Sequence, residues 1–208
     1  MASRNSWESI RKYGLLSTSK LLDLFEVPPL EREKVENTKR WESIYIVHPR
    51  YGTAVIRDQK PLSESKLKNC LTDCDLQTWY RQLNSKVFFW LDLERLKTLM
   101  SAKEYRGKIH TVLTIDTEPL VRKWVRNIRL SPLNSGSTSP FAHARGLESF
   151  MKLEDYPFAE RLKRGDYGCV AELTVENGVS DIAKHTVRVA HAKCQEGNLR
   201  TVELLYQA

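Results

Sequence analysis

The first candidate for chemistry is a single carboxylate placed inside an apolar stretch. Glu172 lies between Ala171 and Leu173 in a run that predicts a strand, followed by an Asn177-Gly178 turn and a second strand over residues 186–190. A carboxylate is costly to bury in apolar surroundings, so Glu172 either points to solvent or lines a cleft. This stretch alone leaves both interpretations open.

Three other polar stretches stand where a site could form. The tripeptide Arg57-Asp58-Gln59 follows an apolar run directly, a pattern that is also typical of an ordinary turn. Residues 131–140 form the longest loop-forming tract, and long polar loops in compact domains are more often functional or mobile than structural. Residues 161–164 carry a basic cluster shortly before the Glu172 strand.

Several enzyme templates are absent from the sequence. It contains no glycine-rich dinucleotide fingerprint, no phosphate-binding loop, no Gly-x-Ser-x-Gly and no His-Glu-x-x-His. The five histidines are scattered, and we expect them to be surface or core residues. Cys70 and Cys74 are four residues apart, but no second Cys or His pair is spaced to complete a zinc site. We therefore expect no metal.

The amino-acid composition indicates which binding partners and which cellular compartment to expect. The 208 residues include 33 Lys and Arg against 26 Asp and Glu, a net charge of +7 that favours a polyanion such as nucleic acid, although many basic proteins bind none. No apolar run is long enough for a transmembrane helix, so no membrane partner is expected. Four cysteines without a secretion signal indicate reduced thiols and a cytoplasmic protein.

The predicted elements give an α+β fold. Helices are expected at residues 7–13, 20–26, 30–40, 63–71, 75–83, 92–102, 118–125, 148–153 and 158–163, with Ser6, Ser17-Thr18-Ser19 and Asp92 as caps. Strands are expected at residues 44–47, 53–56, 87–91, 110–115, 170–175, 186–190 and 200–206, and the run 87–91 is expected to be buried. The sheet is expected to be mostly antiparallel and split in two, within a single domain over residues 1–208.

Two segments carry a family resemblance. The segment Ser6–Ser17, with its Ile10 and Gly14-Leu15, resembles the start of many ADP-ribosyltransferases, and Gly168–Val175 resembles the strand that carries the catalytic glutamate in DarT-type enzymes, which modify bases in DNA. A longer series, from Gly-Leu-Leu-Ser-Thr-Ser to Ser-Pro-Leu-Asn-Ser-Gly, resembles a group of small uncharacterised bacterial proteins. The resemblance implies an ADP-ribosyltransferase-like split sheet with inserted helices and NAD as co-substrate.

Carried over to this sequence, the resemblance implies a set of site residues. Glu172 would be the catalytic carboxylate that stabilises the positive charge left on ribose when nicotinamide departs. Arg57, with Arg50 as the second choice, would meet the NAD pyrophosphate. The remaining candidates would lie beside nicotinamide or its ribose: Gly14, Ser17, Thr18, Phe88 and Phe89. For the two phenylalanines, a place in an ordinary core strand is an equal interpretation.

This sequence departs from the family pattern at two places. Val170 stands where the arginine-modifying branch has a second glutamate, which disfavours that branch. The family's histidine, just upstream of the first helix, has no counterpart in residues 1–5. The chain therefore either starts late or lacks this anchor for nicotinamide.

The resulting hypothesis is an ADP-ribosyltransferase that modifies a nucleic-acid base, with DNA favoured, as a toxin or phage-defence effector with an antitoxin or regulatory partner. Single-stranded DNA would bind a basic groove with nearby aromatic rings. An ordinary basic surface is the alternative. The groove would comprise Arg145, Arg161, Lys163 and Arg164 with Tyr156, Phe158 and Tyr167. The other hypotheses are a protein-directed transferase, an NAD glycohydrolase, and a non-catalytic binding module on the same fold.

Overall fold

The computed structural model describes residues 1–139, 141–165 and 169–208. The chain forms two compact units. The first unit contains Met1–Leu15, Trp90–Val125 and Val179–Ala208, and the second contains Leu16–Phe89 and Arg126–Gly178. The single domain over residues 1–208 stays a prediction.

Helices and strands alternate irregularly along the chain. The helices are α1 Trp7–Tyr13, α2 Thr18–Leu24, α3 Pro29–Asn37, α4 Glu64–Cys70, α5 Leu76–Asn84, α6 Leu93–Ser101, α7 Thr117–Trp124 and α8 Phe158–Lys163. The strands are β1 Leu15–Leu16, β2 Ile44–His48, β3 Gly52–Ile56, β4 Lys86–Trp90, β5 His110–Ile115, β6 Ile128–Ser131, β7 Met151–Lys152, β8 Glu172–Glu176, β9 Gly178–Val179, β10 Thr186–Gln195 and β11 Asn198–Gln207. Short 3-10 turns lie at Val125–Asn127, Leu147–Ser149 and Ile182–His185.

Side-chain caps fix where several helices begin. The Ser17 hydroxyl accepts a hydrogen bond from the Lys20 amide at 3.2 Å, and the Asp92 carboxylate accepts one from the Arg95 amide at 2.7 Å. Both caps were predicted, because the signal lies within one turn of sequence. Ser6 occupies the cap position of α1, but its hydroxyl instead donates to the Ser3 carbonyl.

The first unit is organised around a three-stranded sheet with the order β11-β10-β5. Both neighbouring pairs are antiparallel, and β10 is longer than the sequence predicts. Helix α6 packs on β10 through a small core. That core contains Leu96, Met100, Val112, Ala192 and Cys194.

The second unit contains the sheet with Glu172. Its order is β4-β8-β6-β7, and the β6–β7 and β6–β8 pairs are antiparallel. A separate antiparallel hairpin, β2–β3, forms from the two strands that the sequence predicts there. One core cluster contains Leu62, Leu67, Trp79, Tyr80, Leu83 and Phe150, and another contains Leu22, Val35 and Ile56.

The strand β4 corrects one expectation about burial. The strand forms as predicted, but Phe88 is 36% exposed and Leu91, just beyond it, is 44% exposed. β4 is the first strand in the order of its sheet, so it has a neighbouring strand on one side only. An apolar run therefore predicted the strand correctly and its complete burial wrongly.

The structure is thus a mixture of helices and antiparallel strands, as the sequence predicts. Among the described residues, none of the helices combines the length and the apolar character needed to cross a membrane.

Gly14 ends α1 in a backbone conformation that only glycine adopts readily, with φ +92° and ψ 167°. A Cβ at this position would lie 2.7 Å from the Ser180 Cα. We expect Gly14→Ala to destabilise the protein by more than about 2 kcal/mol, because strain and a backbone clash add. Thermal unfolding followed by circular dichroism measures the effect.

Gly52→Ala is the matched control for this prediction. Gly52 also has a positive φ, +74°, but a Cβ there meets nothing within 4 Å. Gly52→Ala should therefore destabilise the protein by only about 1–2 kcal/mol, because only the strain of the positive φ remains. Equal destabilisation by the two substitutions would show that the close approach to Ser180 is unimportant.

Candidate functional site

The strands β6 and β8 present one polar face and one apolar face. Directly opposed residues share a face of an antiparallel pair, and successive residues alternate. Ser131 is opposite Glu172 and Arg129 is opposite Thr174, which makes one face polar. The other face consists of Ile128, Leu130, Leu173 and Val175, all buried.

Glu172 is buried at the start of β8, with 3% of its surface exposed. Its carboxylate Oε2 accepts two hydrogen bonds from Ser135, one from the main-chain amide at 3.1 Å and one from the hydroxyl at 2.6 Å. Hydrogen bonds from the protein replace those that burial removes between the carboxylate and water. The interpretation in which Glu172 faces solvent is therefore wrong.

The residues around Ser135 form a segment that we call the Glu172 loop, residues 132–139. Besides Ser135, Thr138 also attaches this loop to the rest of the unit, because its hydroxyl accepts a hydrogen bond from the Ser63 amide at 2.8 Å. The Thr138 amide also donates to the Pro61 carbonyl at 3.3 Å. The sequence predicts that this tract is functional or mobile. In the structure, hydrogen bonds attach it to the rest of the second unit at several points. Pro140 lies outside the described residues.

Arg145 holds the Glu172 loop from within the protein. It is 2% exposed, and its Nη1 donates to the carbonyls of Ser137 at 2.8 Å, Ser135 at 3.2 Å and Asn134 at 3.4 Å. Burial lowers the pKa of this guanidinium, while Cys70 and, to a smaller extent, the charge of Glu172 act in the opposite direction.

This placement of Arg145 corrects its predicted role as a nucleic-acid contact. A guanidinium that is buried and hydrogen-bonded to loop carbonyls is not presented to a phosphate in solution. Arg145 instead accounts for the position of the loop backbone at Ser135, the residue that supplies both donors to Glu172. The sequence could not show this, because a basic residue near a loop is equally typical of an exposed surface.

A buried lysine on β4 lies within electrostatic range of Arg129 and Glu176. Lys86 begins β4, is 6% exposed, and donates to the Ser85 hydroxyl at 3.3 Å and to the side-chain carbonyl of Gln82. Burial lowers the pKa of Lys86 from its ordinary 10.5 to about 8; Glu176 opposes this shift and Arg129 adds to it. Sequence reasoning missed Lys86, although a cation leading directly into an apolar run was a usable signal.

The two arginines proposed for the NAD pyrophosphate lie at opposite ends of strand β3. Arg57 follows β3, and its carbonyl accepts a hydrogen bond from the Arg40 guanidinium at 2.9 Å. Arg40 itself is buried, and burial lowers its pKa to about 10. Arg50 lies in the turn between β2 and β3, exposed, with its guanidinium 5.5 Å from the Tyr51 ring.

The structure places Ser17 away from Glu172. The Ser17 amide donates to the Asn177 carbonyl at 3.1 Å, just past the far end of β8. Because a strand rises about 3.3 Å per residue, the two ends of β8 are about 13 Å apart. Thr18 begins α2 beside Ser17, while Gly14 belongs to the first unit.

The two phenylalanines lie on β4, the neighbour of β8 in the sheet. The Phe88 ring meets the Phe150 ring edge-on with centroids 6.4 Å apart, and Phe89 is half-buried. The structure therefore brings this pair and Glu172 into adjacent strands.

Helix α8 carries the remaining basic candidates. Lys163 and Arg164, which follows the helix directly, are exposed, and the Arg161 guanidinium lies 5.7 Å from the Tyr156 ring. Tyr156 also donates its hydroxyl to the Cys169 carbonyl, and its ring lies 4.8 Å from that of Phe158. Tyr167 lies outside the described residues.

Within the described ranges, no three His, Cys, Asp or Glu side chains come together as metal ligands would.

Comparison with known proteins identifies the family. A family model matches residues 1–186, which include α1, the Glu172 loop and β8. The chain belongs to DUF7002, a family of unknown function. No curated protein and no solved structure matches this DUF7002 chain.

The first prediction for this site concerns Arg145. In Arg145→Lys the charge remains, but the ammonium of the shorter side chain cannot replace both Nη1, which meets the loop carbonyls, and Nε, which donates to the His143 carbonyl at 3.1 Å. We expect a loss of about 2–4 kcal/mol in the free energy of unfolding, because buried carbonyls lose their donors. Urea unfolding measures this loss. Arg126→Lys, at an exposed position, should change stability by less than about 0.5 kcal/mol, and similar losses in both variants would contradict the role given to Arg145.

The second prediction concerns the pH dependence caused by Lys86. Between pH 8 and 10.5 the unfolded chain binds the Lys86 proton and the folded chain does not, so this group makes stability rise with pH. Its contribution is fully present above pH 10.5 and is lost as the pH falls through about 8. The difference in unfolding free energy between the parent and Lys86→Met should therefore change by roughly 3 kcal/mol across this window.

Lys68→Met is the control, because Lys68 is exposed on α4. Its difference from the parent should stay flat over the same pH range. A flat difference for Lys86→Met as well would mean that Lys86 titrates normally in the folded protein.

Proposed function

We propose that this DUF7002 protein is an NAD-dependent ADP-ribosyltransferase whose acceptor is a nucleic-acid base, with DNA favoured. The observation that carries the proposal is the carboxylate of Glu172, buried at the start of β8 on the polar face of its sheet. The likeness of Ser6–Ser17 and Gly168–Val175 to ADP-ribosyltransferase segments supports it, and so does the net charge of +7. The finer proposal for the fold is the split sheet of that enzyme class.

The proposed reaction breaks one bond and forms another at the ribose C1′ atom. The bond from C1′ to the nicotinamide nitrogen breaks, and its electron pair leaves with nicotinamide. A nitrogen of the acceptor base supplies the pair for the new bond to C1′ and releases a proton to water. Glu172 stabilises the positive charge that builds up on the ribose, an effect that is strong where water is excluded.

In this proposal Ser135 marks where the substrate binds. Its hydroxyl donates to Oε2 of Glu172 at 2.6 Å, as a ribose hydroxyl would in the complex with NAD. NAD would therefore replace Ser135 at the carboxylate, and the Glu172 loop would move as NAD enters. Arg57 is proposed for the pyrophosphate, with Arg50 as the second choice.

The acceptor strand is proposed to lie along helix α8. Its basic residues Arg161, Lys163 and Arg164 precede Glu172 in the chain, and Tyr156 and Phe158 supply aromatic rings beside them. A basic surface with aromatic rings suits single-stranded nucleic acid, because phosphates and bases are both recognised. A toxin or phage-defence role with an antitoxin or other regulatory partner completes the proposal.

A second candidate is a binding module that has the same fold and no turnover. One observation favours it: Glu172 is 3% exposed and already accepts two hydrogen bonds from within the protein. A buried carboxylate satisfied in this way can serve the structure alone. The two candidates differ in whether nicotinamide is released.

The experiment is incubation of the protein with labelled NAD and a mixture of single-stranded DNA, RNA and cell protein. For the parent we expect label on DNA and release of nicotinamide. Glu172→Gln keeps the shape but removes the charge, so we expect at least about a 100-fold loss of transfer. Glu176→Gln, on the same strand, is the matched control and should retain most of the activity.

Each other outcome has a definite meaning. Transfer that survives in Glu172→Gln would refute the role of this carboxylate. Label on protein would show that the acceptor is protein and not nucleic acid. Nicotinamide released without any labelled acceptor would indicate an NAD glycohydrolase. If NAD binds and no nicotinamide appears, the binding module is the better description.

A further inference from the structure

A second candidate site lies in the second unit, in a cavity of about 510 Å³. This volume falls within the range of about 300–1,000 Å³ that is usual for small-molecule sites. Neither Glu172 nor Ser135 lines the cavity. Its wall includes Lys39, Trp41, Lys60, Lys66, Thr138 and Ser139.

The cavity is cationic. Lys39, Lys60 and Lys66 line it against one carboxylate, Glu64, which accepts a hydrogen bond from the Tyr80 hydroxyl at 3.0 Å. Lys60 is partly neutralised by Glu42, at 3.0 Å from its ammonium. The excess of ammonium groups favours a ligand with negative charge.

Lys39 is the most informative of these lysines. It is 8% exposed, and its ammonium lies 3.5 Å from the centroid of the Trp41 ring. In the described part of the chain, that ring is the contact the ammonium makes, and no oxygen accepts a hydrogen bond from it. Burial lowers the pKa of Lys39, and the charge of Glu64 opposes this shift. A bound phosphate would give the ammonium a hydrogen-bond acceptor and a further opposite charge.

Trp41 adds a flat apolar surface beside the charges. It is 64% exposed, although tryptophan is usually well buried in a folded protein. An exposed indole next to lysines is suited to a ligand that carries both an aromatic ring and an anionic group, because the ring stacks while the anion meets the ammonium groups.

We propose that this cavity binds a nucleotide, with its phosphate at Lys39 and Lys66 and its base stacked on Trp41. The phosphate belongs either to a free nucleotide or to a single nucleic-acid strand. The proposal goes beyond the transferase function and does not depend on it, because the cavity residues are different ones. Thr138 and Ser139 belong to the Glu172 loop, so a nucleotide in the cavity contacts the segment that holds Glu172.

The test is equilibrium binding to the full chain at physiological salt. Thymidine diphosphate, titrated by calorimetry, represents the free nucleotide, and a labelled short oligothymidylate, followed by fluorescence anisotropy, represents the strand. Thymidine ligands are chosen because they lack the adenosine of NAD. We expect at least one of them to bind with a Kd below about 1 mM.

Substitutions of residues that line the cavity test whether the ligand binds there. Lys39→Gln and Lys66→Gln should each weaken binding about tenfold, and Trp41→Ala should weaken it by about 5- to 100-fold through the loss of stacking. Lys68→Gln is the matched control, because Lys68 is exposed on the same helix as Lys66 and does not line the cavity. It should change Kd less than twofold.

Three results would overturn the proposal. The first is that neither ligand binds, and the second is that both lysine variants bind like the parent. The third is that inorganic pyrophosphate binds as well as thymidine diphosphate and Trp41→Ala has no effect, since the cavity would then recognise an anion and no base. Lys66 is exposed, so its variant keeps the test valid even if Lys39→Gln fails to fold.

Discussion

The burial of two opposite charges, Glu172 and Arg145, is the constraint on which the second unit depends. A buried charge is tolerated only when the protein supplies hydrogen-bonding partners in place of water. The Glu172 loop supplies both sets: Ser135 donates to the carboxylate, and the carbonyls of the loop accept from the guanidinium. The Glu172 loop has no regular secondary structure, but it acquires a defined conformation because its amide, hydroxyl and carbonyl groups form hydrogen bonds with these two charged side chains.

The same unit buries further cations beyond this pair. Lys39, Arg40 and Lys86 are each less than 9% exposed, and burial lowers the pKa of all three. Apolar residues of similar size would avoid this desolvation cost. Departures from local rules of this kind occur where proteins bind or react, and here Lys39 lines the cavity while Lys86 lies within electrostatic range of Arg129.

The Glu172 loop connects the two candidate sites within the second unit. Ser135 contacts the carboxylate, and Thr138, three residues later, lines the cavity and is bonded to Ser63. A ligand in either place meets the same short segment. Membership in DUF7002, a family without an assigned function, leaves this loop and its two neighbours as the physical starting point for finding one.

By itself the sequence determined part of the local structure of this protein. It predicted α1, the caps at Ser17 and Asp92 and the strands β2 and β3, because these depend on residues within a few positions of one another. The helix predicted at residues 148–153 is wrong, because a 3-10 turn at Leu147–Ser149 and strand β7 stand there. Only the tertiary structure decided that Glu172 is buried, that Arg145 supports a loop and that Phe88 is exposed. The physical reason is separation along the chain: Ser135 lies 37 residues from Glu172, and no local pattern encodes that the two will meet.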